Sequence, residues 1–123
     1  MVLAALTLLA ASAVHFGLQV PLAVVTVRDP FFGAAIPEAI LAVTLGLGAA
    51  AVLTRWWRPW PIGLATTLFT LLVVIYGLTI TLRTGRYGDV AYHLTLLLAL
   101  LVIIGLLFTR GARRGLAVER QAR

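Results

Sequence analysis

Four apolar stretches, each about as long as a helix that crosses a bilayer, dominate this chain, and the breaks between them are short. Crossing the hydrocarbon core takes roughly 20 apolar residues in helical form. The first stretch runs from Val2 to Val27, interrupted by His15, Gln19 and Pro21, and stops at Arg28-Asp29-Pro30. The second runs from about Ile36 to Thr54, with Pro37 placed where the first turn of a helix accepts proline. The third, from about Ile62 to Leu82, follows the punctuated segment Arg55-Trp56-Trp57-Arg58-Pro59-Trp60-Pro61. The fourth, from about Val90 to Thr109, follows Asp89, a plausible helix N-cap. Short breaks between helices make sequential neighbours antiparallel. The expected fold is therefore all-α: a transmembrane antiparallel four-helix bundle over residues 1–110, with a basic tail over residues 111–123.

Composition removes the soluble alternative. Of the 123 residues, 62% are hydrophobic and 11% charged, and a small soluble domain exposes too much of its surface to hide that share. The absence of cysteine excludes disulfides, thiolate metal sites and cysteine nucleophiles. All ten basic residues are arginine, which together with the Ala, Leu, Val and Gly excess points to a GC-rich genome. The net charge of +6 lies between and after the apolar runs, so it reads as a topology signal and not as a nucleic-acid footprint. Arg55 and Arg58 share a side with both termini, and hence with Arg110, Arg113, Arg114, Arg120 and Arg123. Arg28, Arg83 and Arg86 lie opposite, partly offset by Asp29 and Asp89. Seven basic residues against three place both termini in the cytoplasm (N-in/C-in), in a bacterial cytoplasmic (inner) membrane crossed several times. Ala11-Ser12-Ala13 resembles a signal-peptide cleavage site. No Arg or Lys precedes it and apolar residues continue past it, so the first run is expected to stay as a membrane helix.

Trp56, Trp57 and Trp60, with Arg55, Arg58, Arg110, Arg113 and Arg114, are expected to anchor the inner interface, while Phe31, Phe32 and Tyr87 mark the outer one. Within the membrane, small residues mark close helix contacts. Ala42, Gly46 and Ala50 repeat every four residues in the second run, and Thr66, Thr70, Gly77 and Thr81 form a small, polar line in the third. The fourth run is bulkier and is expected to face lipid most.

Ionisable groups within a bilayer cost about 3 kcal/mol near its centre on insertion scales, so they persist mainly where they face protein. His15 and Gln19 are four residues apart in the first run, Glu38 lies one turn into the second on the Ala42–Gly46 stripe, and His93 one turn into the fourth. If the first helix runs to Val27, Gln19 lies about 12 Å and His15 about 18 Å below its outer end. All four groups then fall in the outer half of the membrane and form a candidate ligand-binding cluster. His15, Glu38 and His93 can hold a divalent metal such as zinc or iron, two imidazoles can ligate haem, and a His–Glu pair can hydrogen-bond a quinone-like carbonyl. The unequal depths of His15 and His93 count against haem. Mutual interhelical hydrogen bonding explains the same residues without a ligand. Tyr76 reads as a buried hydrogen-bond partner, and Asp29 and Asp89 as turn and cap residues. No Gly-rich phosphate loop, His-x-x-x-His pair or serine-nucleophile motif occurs.

Three segments carry a resemblance: His15-Phe16-Gly17-x-Gln19-x-Pro21, Ile36-Pro37-Glu38, and Asp89-Val90-Ala91-Tyr92-His93. With these, the chain resembles the small, uncharacterised four-helix membrane proteins common in GC-rich bacteria, and is loosely similar in size and helix number to the DoxX-like group. The resemblance implies no activity, cofactor or functional residue. Two expectations follow. One is a non-enzymatic accessory or scaffold subunit, as a homo-oligomer or within a larger membrane complex and without a nucleic-acid partner. The other is a ligand- or cofactor-binding bundle (metal, quinone-like or haem) built on His15, Gln19, Glu38 and His93.

Overall fold

A computed structural model describes residues 1–22 and 25–117. It is helical apart from one small hairpin. The order is α1 (Val2–His15), β1 (Val20–Leu22), β2 (Val25–Val27), α2 (Phe32–Leu53), α3 (Pro59–Thr84), α4 (Tyr87–Phe108) and α5 (Arg110–Ala117). α2, α3 and α4 are each long and apolar enough to cross a membrane; α1 is a shorter apolar helix.

The first apolar run does not continue as a helix to Val27. α1 stops at His15 in a Schellman turn: Gly17 adopts φ 99°, its N–H donates to the Val14 carbonyl at 2.8 Å, and the Leu18 N–H donates to Ala13 at 2.9 Å. Only glycine takes that backbone conformation without strain. Four residues on, Pro21 has no N–H to offer the Gly17 carbonyl and its ring would clash with it. The β-branched residues that follow favour extended backbone. β1 and β2 accordingly pair antiparallel, Val20 opposite Val27.

Three other starts move earlier than the sequence indicates. α2 begins at Phe32, so Pro37 lies in its second turn and withholds a hydrogen bond from Gly33. α3 begins on Pro59, preceded by Arg58 in the left-handed region. α4 begins at Tyr87 with Arg86 at the N-cap, and Asp89 therefore lies in the first turn, where its charge complements the helix dipole instead of capping it. The first part of the basic tail forms α5; Arg120 and Arg123 lie outside the described residues.

Consecutive helices pack on one another, α1 on α2, α2 on α3 and α3 on α4, and α1 touches α4 more sparsely. The buried residues recur at alternating steps of three and four. Ala5, Leu8, Ser12 and His15 do so in α1, Ala35, Glu38, Ala42, Leu45 and Ala49 in α2, and Gly63, Thr67, Thr70 and Val74 in α3. This 3.5-residue spacing is that of a knobs-into-holes seam. It replaces the Ala42–Gly46–Ala50 stripe: Ala50 is exposed and Gly46 faces open space. The α3 threonines on the seam spend their hydroxyls inside their own helix, Thr67 on the Gly63 carbonyl at 2.6 Å and Thr70 on Thr66 at 2.8 Å. α4 is the least buried of the three long helices.

At the arginine-rich end, α2 and α3 meet through glycine. A side chain on Gly48 would fall 1.9 Å from Thr66 Oγ1, and one on Gly63 would fall 2.6 Å from Val52 Cγ2. Met1 also lies against Gly48, which puts the start of α1 at this end. Trp60 donates its indole N–H to the Leu107 carbonyl at 2.8 Å, stacks edge-on with Phe108, and lies with it under the Arg113 guanidinium. Trp56 and Trp57 are exposed.

Candidate functional site

At the other end, the site is built outward from His15. The turn that ends α1 leaves His15 in its last helical position, and the Phe31 N–H donates to the His15 carbonyl at 2.9 Å. This ties the residues entering α2 to the end of α1. Ser12 Oγ adds a second tie by donating to the Ala35 carbonyl at 2.7 Å. Glu38, on the seam of α2, meets His15 Nδ1 at 2.7 Å. Both residues are buried, 7% and 6% exposed, so each gives the other the polar partner that burial demands.

A second group lies above the pair. His15 Nε2 is 3.6 Å from Asp29 Oδ2, Asp29 pairs with Arg86, and Arg86 Nε donates to Asp89 Oδ2 at 2.5 Å. The Arg86 guanidinium also stacks 4.4 Å from the centre of the Phe31 ring, whose edge in turn meets His15. The Asp89 hydrogen bond, with the Asp29 charge beside it, raises the Arg86 pKa above its ordinary value. Arg86 therefore stays charged and joins the hairpin side of the molecule to the start of α4.

α4 supplies the third element. His93 Nδ1 is 2.7 Å from the Asp89 carbonyl oxygen one turn back, and its Nε2 lies beside Gly77 of α3. A side chain at Gly77 would come within 2.8 Å of that nitrogen. The preceding residue, Tyr92, stacks edge-on against His93, and among the described residues its buried hydroxyl makes no hydrogen bond. Between these elements lies a cavity of about 130 Å³. His15, Glu38, Asp89, Tyr92 and His93 line it together with the apolar Leu41, Val74 and Leu96. Pro37 of α2 and Tyr76 of α3 also border it and are both exposed, so it opens sideways between those two helices.

Three of the four residues singled out from sequence, His15, Glu38 and His93, thus border one cavity. Gln19 does not. It lies exposed beyond the end of α1, because helical spacing from His15 no longer applies once the helix has stopped. Tyr76 is 66% exposed instead of buried. Phe31, expected as an outer depth marker, turns toward His15 and Arg86. Asp29, Arg86 and Asp89 each have a local explanation as turn or cap residues. Their opposite charges in two breaks on the same side were the signal of a pair.

The metal expectation also shifts. Among the described residues, the ligand atoms close enough to share an ion belong to His15, Asp29 and Asp89, all within 4.8 Å of one another, and not to His15, Glu38 and His93. Arg86 pairs with both of these aspartates, so a fixed cation already holds the position an ion would take. The cavity, in contrast, is lined mostly by apolar residues with a few polar groups, the usual make-up of a small-molecule site. No family model, curated protein or solved structure matches the chain.

Proposed function

We propose that this chain is a multi-pass protein of the bacterial cytoplasmic membrane, and that its outer-end cavity binds a small lipid-soluble molecule entering between α2 and α3. One observation carries the reading: ionisable residues from three helices border a cavity whose mouth lies on an apolar flank. Groups of that kind are costly in lipid and are kept where they face a partner or a ligand. In this reading the helices form an antiparallel four-helix transmembrane bundle with both termini cytoplasmic, supported by the arginine excess at the end where Met1, Arg55 and α5 gather. α1 measures roughly 21 Å, short of the roughly 30 Å hydrocarbon core. The hairpin after it, which carries unpaired strand edges, belongs in the headgroup layer.

Native mass spectrometry of protein extracted gently from its own membranes tests this. The expected result is a non-protein adduct that disappears in Gly77→Leu, whose side chain would displace the His93 ring from its seat at the cavity edge. A bare chain in both proteins overturns the reading. A second reading, an accessory subunit or homo-oligomer, is favoured by the open face at Gly46 and exposed Ala50 on α2, where another helix can approach closely. The same spectrum then shows additional polypeptide in place of a small adduct.

A further inference from the structure

We propose that the cavity selects molecules whose head group donates hydrogen bonds, a phenolic or alcoholic hydroxyl on an apolar body, and discriminates against heads that only accept. This rests on the pocket reading above and adds to it the chemistry of the head group. A carbonyl oxygen can only accept, so the 2.7 Å contact between His93 Nδ1 and the Asp89 carbonyl fixes the imidazole proton on Nδ1. Nε2 of the neutral ring then carries a lone pair. Among the described residues no group donates to it, and the ring, seated against Gly77, borders the cavity.

Glu38 is the second acceptor. One of its carboxyl oxygens is hydrogen-bonded to His15 Nδ1, and the other has no side-chain donor among the described residues, so in its carboxylate form Glu38 is open to a ligand's hydroxyl. The strong donor nearby, Arg86, is committed to Asp29 and Asp89. The Tyr92 hydroxyl makes no hydrogen bond among the described residues and can act in either sense, so it does not reverse the balance. A ligand hydroxyl completes this set by giving its proton to His93 Nε2 or Glu38. A ketone, quinone or ether brings lone pairs against lone pairs and leaves buried acceptors unmatched. Within a quinol–quinone couple, the reduced, hydroxyl-bearing form is the one retained.

Binding of 1-naphthol, 1-methoxynaphthalene and 1,4-naphthoquinone to the full chain in lipid nanodiscs tests the proposal, with each affinity corrected for partition into empty nanodiscs. The expected result is 1-naphthol at least tenfold tighter than the ether and the quinone. His93→Phe should reduce that preference several-fold while leaving the affinity for the ether within about twofold. Glu38→Gln, which adds an amide donor at nearly the same shape, should raise the affinity for the quinone and serves if His93→Phe does not fold. Equal binding of the naphthol and the ether, or tighter binding of the quinone, overturns the donor rule while leaving the pocket standing. No binding of any of the three overturns the pocket and the rule together.

Discussion

The two ends of the α2–α3 interface are built on opposite principles. Near the arginine-rich end, Gly48 and Gly63 let the helices touch so closely that neither position has room for a methyl group. Toward the other end the same helices help to border a cavity, with Glu38 and Gly77 among its lining residues. Glycine serves both ends differently. At Gly48 it admits a neighbouring helix, and at Gly77 it admits an imidazole. Close packing of small residues supplies cohesion where lipid offers no hydrophobic drive. The cavity end depends instead on specific polar pairs.

Substitutions can break this contrast in graded steps. Gly48→Val should have the largest effect, a loss of about 3 kcal/mol from overpacking, seen as a lower midpoint in detergent-induced unfolding. A midpoint close to that of the wild type would mean that α2 and α3 are not clamped there. Glu38→Leu should cost about 2 kcal/mol, because it strands a buried His15 without its partner. Combining it with His15→Leu should restore most of the loss, and failure to do so would show that the pair is not the cause. Arg86→Ala should lower stability by about 1 kcal/mol, the scale of a partly exposed ion pair. It should also create affinity for Zn²⁺ at His15, Asp29 and Asp89, measurable by calorimetry and absent from the wild type. Gly77→Ala should change stability by only about 0.5 kcal/mol, since the helix gains propensity while the flexible His93 ring moves aside. Ligand affinity should still fall. A stability loss as large as that of Gly48→Val would erase the distinction between the two ends.

Most of the helical framework was legible because apolar runs with short polar breaks have few other solutions. α2, α3 and α4 cover the stretches their sequences marked, each beginning a turn or so earlier. The hairpin was hidden because an apolar β-branched run such as Val24-Val25-Thr26-Val27 looks the same to a hydropathy argument whether helical or extended. Gly17 and Pro21, four residues apart, were its local signature. In the site, His15, Glu38 and His93 stood out as ionisable groups in apolar surroundings. Asp29, Arg86 and Asp89 did not, because residues at helix ends have adequate local roles. Which loop meets which is decided by packing that no single segment contains. Gln19 was assigned to the cluster only through the assumption that α1 continued, and the error in the helix became an error in the site.

Synthesis delivers α1 to the membrane before the carboxylate that pairs its histidine has been made. A helix of 14 residues ending in a buried imidazole is a poor autonomous insertion signal. α2 is longer and has the apolar character to insert on its own. In the proposed membrane reading, assembly order would run against synthesis order, with α1 settling only when Glu38 and the Ala35 carbonyl arrive to receive it. Detaching that helix from the rest of the gene and co-expressing it in trans would show whether the later segments are sufficient to recruit it.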